Sequence, residues 1–225
     1  MVTIGQGANW QVRRLGDNKH VFRVPLYPSE IRINEFIKNH KQVKALGLPT
    51  LEKVKRYENN GDKGLICEDL NISGDRIYVS PNSLYSDADQ EFDEIREVTE
   101  GKSMGNKQLS EAEQFRYEHK LDEITNIEEF IKAVKVDLDF VTGKNVGIYF
   151  DAYFFGTLKY SSRSTIDYIL GDLDDIRKFT RVDRNELLAE NRLQFQNIFS
   201  KFLEHFVNPG KRGEYLDILN REIGA

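Results

Sequence analysis

An α+β chain built as two lobes, strands first and helices last, is the fold the sequence predicts, on three observations. Short apolar segments punctuated by Gly, Asn and Asp fill the first part of the chain. Long segments with apolar residues at helical spacing fill the last hundred residues or so. Between them runs a polar stretch, rich in Asp and Glu from Asp87 to Glu100. We therefore expect a β-rich lobe with one helix over 1–68, a hinge and acidic insertion over 69–126, and a reduced helical lobe over 127–225. That order leaves a cleft between the lobes.

Taken in order, Val2–Gln6, Trp10–Leu15 and His20–Val24 read as strands, and Gly16-Asp17-Asn18 supplies the turn of a hairpin. Ser29–Leu46 carries Ile33, Phe36, Ile37, Val43 and Leu46, which is a helical pattern; Gly47 and Pro49 stop it. Leu51–Tyr57 and Gly64–Glu68 form a strand pair around Asn59-Asn60-Gly61-Asp62. The charge run from Asp87 to Glu100 reads as a solvated insertion. Ile127–Val141 is an amphipathic helix, and Gly147–Phe155 and Tyr168–Leu170 read as buried strands. Glu186–Val207 holds Leu187, Leu188, Phe195, Ile198, Phe199, Phe202, Leu203 and Phe206, an aromatic stripe that reads as core. Glu214–Ile223 closes the chain as a helix.

Composition narrows the function. Of 225 residues 39% are hydrophobic and 11% aromatic, enough for a core. Lys and Arg number 32 against 37 Asp and Glu, a net charge of −5 that gives no electrostatic footprint for nucleic acid. No apolar run approaches the roughly 20 residues that span a bilayer. No basic stretch followed by an apolar one opens the sequence, so a soluble, cytoplasmic protein is expected. Cys67 is the single cysteine, which excludes an internal disulfide and a zinc site built on cysteines. Cys67 reads as an inert core thiol, and His20, His40, His119 and His205 have no ligand spacing. Hydrolase, zincin and Walker A motifs are absent.

Four places can carry chemistry. Gly5-Gln6-Gly7 lets backbone approach a phosphate without Cβ interference, or is an ordinary hairpin. Arg23, set among apolar residues, points into a cleft or lies on an exposed edge; Glu35 or Glu30 in the following helix is its candidate partner. Asp151, among aromatics, is a costly burial unless paired, metal-bound or tuned as a base, or else it sits in an exposed turn. Gly171-Asp172-Leu173-Asp174-Asp175 clusters carboxylates at a strand end, suited to Mg²⁺ or to capping a helix.

In this order the motifs resemble the protein-kinase-like fold, in an atypical form close to small bacterial-type or aminoglycoside-phosphotransferase-like kinases. Gly5-x-Gly7-x-x-x-x-Val12 resembles the glycine-rich loop, with Trp10 where the third Gly would stand. Arg23 takes the place of the ATP-positioning lysine. Ala45–Leu51 resembles the segment after that fold's N-lobe helix, and Leu65–Leu70, with Glu68, the hinge strand that meets adenine. Gly147–Asp151 is similar to the approach to the catalytic loop, with Tyr149-Phe150 replacing His-Arg. Ile169–Asp174 resembles the metal-binding turn, with Asp174 in its Gly position. The resemblance implies ATP and Mg²⁺ bound between the lobes. Gly5, Gly7, Val12, Arg23, Glu35 and Glu68 would then hold nucleotide, Asp172 and Asp174 the metal, and Asp151 the proton of an acceptor hydroxyl. The acceptor, protein or small molecule, is not implied, and neither nucleic acid nor membrane is expected as partner. Departures are an Arg for the lysine, Gly156 where an Asn would follow Asp151, and no Ala-Pro-Glu segment. They point to the rival reading, an inactive pseudokinase that serves as a binding module.

Overall fold

The computed structural model describes residues 2–6, 9–72, 74–79, 115, 116, 118–174 and 176–224. The acidic run from Asp87 to Glu100, and with it most of the expected insertion, lies outside the described residues, as do Gly7 and Asp175.

The chain is a mixed α/β structure, with a β-rich sheet first and helices last, as expected. Strands β1 (Val2–Gln6), β2 (Trp10–Arg14), β3 (His20–Pro25), β4 (Val54–Asn59) and β5 (Asp62–Glu68) form one antiparallel sheet in the order β1-β2-β3-β5-β4. The β4–β5 turn is tight because Asn60 and Gly61 both take positive φ, 52° and 85°, the geometry of a two-residue hairpin turn. Helix α1 (Glu30–Ala45) starts where the Ser29 hydroxyl accepts from the Arg32 amide. Its stripe of Ile33, Phe36, His40 and Val43 is buried, and Gly47 leaves it at φ 74°.

Past Glu68 the chain leaves this sheet. Strand β6 (Arg76–Val79), unmarked in the sequence reading, pairs instead with β9 (Tyr153–Leu158), whose other edge takes β11 (Asp167–Leu170). Short β7 (Glu123–Ile124) runs parallel to β10 (Arg163–Ser164), and β8 (Val146–Ile148) pairs with β12 (Ile176–Lys178). The single strand expected over Gly147–Phe155 is two, broken by a 3₁₀ turn at Phe150–Ala152. The break lets β8 pair with β12 while β9 pairs with β6 and β11, so one apolar run serves two ladders.

Helices α2 (Ile127–Gly143), α3 (Arg184–Phe206) and α4 (Pro209–Ile223) cover this second part. Phe195, Phe199, Phe202 and Phe206 stack ring on ring down α3 at 5.5, 5.9 and 5.5 Å. Phe130 and Phe155 pack onto that stack, so the stripe is core, as read from the sequence. Among the described residues no helix is long and apolar enough to cross a membrane.

The loop between α1 and β4 and the helix itself fasten the two parts. Leu170 donates its amide to Pro49 O at 2.8 Å, and Thr50 Oγ1 donates to Leu170 O at 2.8 Å. From α1, Asn39 donates its side-chain amide to Leu173 O at 2.7 Å.

Candidate functional site

The site is built where the first sheet and α1 meet the end of the β9–β11 ladder. Residues 167 to 170 of β11 lie opposite 156 to 153 of β9, and the Gly171 amide continues the pattern by donating to Ala152 O at 2.9 Å. Asp151, in the 3₁₀ turn, and Asp172 are the residues that come next beyond this last bond. The two therefore leave the same end of one ladder, one from each strand. Both residues are half-buried. Gly171 is required here: a Cβ would meet the Phe154 ring at 2.6 Å.

The turn that follows folds on itself, Asp172 Oδ1 accepting from the Asp174 amide at 3.4 Å. Asp174, its side chain only 11% exposed, is held from the first part of the molecule. Its Oδ2 accepts from Trp10 Nε1 at 2.6 Å and from the Arg32 guanidinium at 3.3 Å. Neither donor was legible as such. Trp10 stood out only as a departure from a glycine. Arg32 and Asn39 lie two helical turns apart on the flank of the buried stripe, the single local sign that they reach the same neighbour.

Arg23 lies on β3. It pairs with Val12 on β2 and Leu65 on β5, and is 7% exposed. Its guanidinium carbon is 5.2 Å from the centre of the Phe36 ring. Phe36 in turn meets Trp10 edge-on at 5.5 Å, which joins Arg23 through two rings to Asp174. Arg23 makes no hydrogen bond or ion pair among the described residues, and its Nε is buried without an acceptor. The partners expected for it are elsewhere. Glu35 is exposed on α1, because the buried stripe passes through Phe36 and turns residue 35 away. Glu30 binds Arg56 at 2.6 Å and Lys63 at 3.8 Å. The expected Arg23–Glu35 pair is therefore absent; Phe36 faces the guanidinium instead.

Of the remaining expected residues, Gly5 lies in β1 opposite Val12, beside a register irregularity, and Val12 is half-buried against the core. Glu68 ends β5 opposite His20, and its carboxylate accepts from the Glu52 amide and, at 3.1 Å, from the Lys53 amide. Cys67 is buried, and burial pushes its thiol up to about 12 against the smaller opposing pull of Arg23. His40 bonds Leu51 O at 2.7 Å inside the core. Burial lowers the pKa of His205. Among the described residues no three His, Cys, Asp or Glu gather as a metal cluster.

No family model matches the sequence, and no curated protein does. Among solved structures the chain is similar to one described as WaaP in complex with acyl carrier protein, at 8% identity and TM-score 0.45, over 98% of this chain and 78% of that one. It is similar to the Helicobacter pylori proinflammatory kinase CtkA at 14% identity and TM-score 0.44, over 98% of this chain and 90% of that one. A third is the streptomycin-ATP-APH(2")-IIa ternary complex, at 9% identity and TM-score 0.34, over 97% and 80%.

Proposed function

We propose that the protein is a kinase-like phosphotransferase that binds Mg-ATP between its two parts and passes the γ-phosphoryl group to a hydroxyl. What supports this reading is that Asp151 and Asp172 both leave one end of the β9–β11 ladder, while Arg23 is buried with no hydrogen-bond or ion-pair partner among the described residues. A buried guanidinium is costly unless an anion meets it, and phosphate is the anion its fork suits. The acidic turn fits Mg²⁺ by its donor set, since that ion takes one or two carboxylates and completes its shell with phosphate oxygens and water. Bound there, Mg-ATP would supply the transferable phosphoryl group and the charge that neutralises it.

The chain's own residues divide the remaining work. Asp172, with Asp174 beside it, would hold the metal, and Arg23 would orient the phosphates. Gly5 and Val12 would cover the nucleotide, and the backbone near Glu68 would border its base. Asp151 would accept the acceptor's proton as its oxygen bonds phosphorus and the bridging bond to ADP breaks, ADP leaving with the electron pair. The work is mostly positioning and electrostatics. The acceptor, protein or small molecule, is open.

A second reading is favoured by one observation: Arg23 is covered by Phe36 rather than paired with Glu35. A cation that never meets phosphate would suit an inactive pseudokinase that works as a binding module. Thermal-shift titration with ATP, with and without Mg²⁺, tests both. Stabilisation that grows with Mg-ATP, followed by phosphate transfer, supports the enzyme. Binding without transfer supports the module, and no shift at millimolar Mg-ATP ends the nucleotide reading.

A further inference from the structure

The contact between Trp10, Arg32 and Asp174 spans the two parts of the molecule, and the roles just assigned leave it unused. Both donors, Trp10 on β2 and Arg32 on α1, belong to the first part; the acceptor belongs to the turn of the second. Both fall on one oxygen, Asp174 Oδ2, at 2.6 and 3.3 Å. Arg32 thus stands as a resident positive charge on a carboxylate that the phosphotransfer reading gives to a metal ion.

We propose that this contact is a latch that competes with the cation: Mg²⁺ arriving at the Asp172–Asp174 turn draws Asp174 away from Arg32 and Trp10. The inference rests on the phosphotransfer reading of that turn. Two positive charges on one carboxylate oppose each other, whereas Asn39, bound to Leu173 O, has no charge in the contest. Displacing the latch frees the start of β2 and the start of α1 while the Asn39 and Thr50 fastenings stay in place. By reciprocity, whatever the latch takes from cation binding, cation binding takes from the latch.

Trp10 is the chain's single tryptophan, so the latch carries its own fluorophore. The experiment titrates Mg²⁺ into the intact protein with ATP present, following Trp10 emission and, by calorimetry, affinity. Wild type is set beside Arg32→Gln, which removes the charge, and Trp10→Phe, which keeps the ring against Phe36 but deletes the N–H. The expected result is an emission change on Mg²⁺ binding, and at least about fivefold tighter Mg²⁺ in either variant. A wild type that fails to bind while a variant binds also supports the latch, as one that holds the site shut. Binding with unchanged emission, and with equal or weaker affinity in the variants, overturns the latch and leaves the phosphotransfer reading intact. Absence of binding in all three proteins overturns both.

Discussion

Two arginines are buried among the described residues, in different surroundings. Arg116, 1% exposed, donates to the carbonyls of His119, Leu158 and Ser161. Burial draws its pKa down to about 10. Arg23, 7% exposed, donates to nothing among the described residues and rests on a ring. The first has both terminal nitrogens engaged by carbonyls that the fold already provides, with only its Nε left without an acceptor, so its region is all but finished. The second meets no acceptor or anion among the described residues, on the sheet that Phe36 and Trp10 connect to Asp174. A buried cation with both terminal nitrogens bonded marks structure, and one with neither bonded among the described residues is open to an anion.

The largest expected effect lies on the unfinished side. Asp151→Asn should lower phosphate transfer about 10²–10⁴-fold while Mg-ATP binding by calorimetry stays as in wild type. Equal losses of binding and transfer would make Asp151 part of the structure, like Arg116. Next comes Arg116→Met, which leaves buried carbonyls without donors and should cost about 3 kcal/mol in urea unfolding. A neutral result would erase the contrast between the arginines.

Arg23→Met tests the same contrast from the other end. It removes a buried charge with no ion-pair partner among the described residues, so stability should hold or rise by up to about 2 kcal/mol, while Mg-ATP binding weakens about tenfold. Destabilisation matching that of Arg116→Met would give Arg23 a purely structural role. The smallest effect belongs to His205, on the finished side, whose folded pKa lies below its ordinary 6.5 through burial. The unfolded chain then binds the proton more readily, so the contribution is complete above pH 6.5 and is lost as pH falls from there through the folded value. His205→Gln should flatten that part of the melting curve against pH.

How far the sequence disclosed this arrangement depends on the range over which each signal acts. Ile33, Phe36 and Val43 announced α1 because helical spacing is local, and Asn60-Gly61 announced its turn for the same reason. Phe195 to Phe206 announced both a helix and its buried face. The break at Phe150 was hidden, since a continuous apolar run reads alike as one strand or as two with a turn between them. Arg76–Val79 was hidden because its partner is β9, far along the chain. The β9–β11 ladder between Asp151 and Asp172 was accessible, since apolar stretches beside each suggested a hairpin. The fate of Arg23 was not, because one step of helical phase separates Glu35 from Phe36. Arg32 and Asp174 are 142 positions apart, with no local pattern to join them.

The fastening at Leu170 has a consequence for exchange with solvent. Its amide hydrogen is bound to Pro49 O across the seam, on a residue with no exposed surface. Such a hydrogen trades with deuterium only when the halves come apart or the chain opens as a whole. Its neighbour, the Gly171 amide, is bound to Ala152 within the second half and requires no such separation. Equal rates for these two adjacent sites would mean that the halves open together, as one cooperative unit. A faster Leu170 would mean that the seam parts first, and the ratio of the two rates would measure how often.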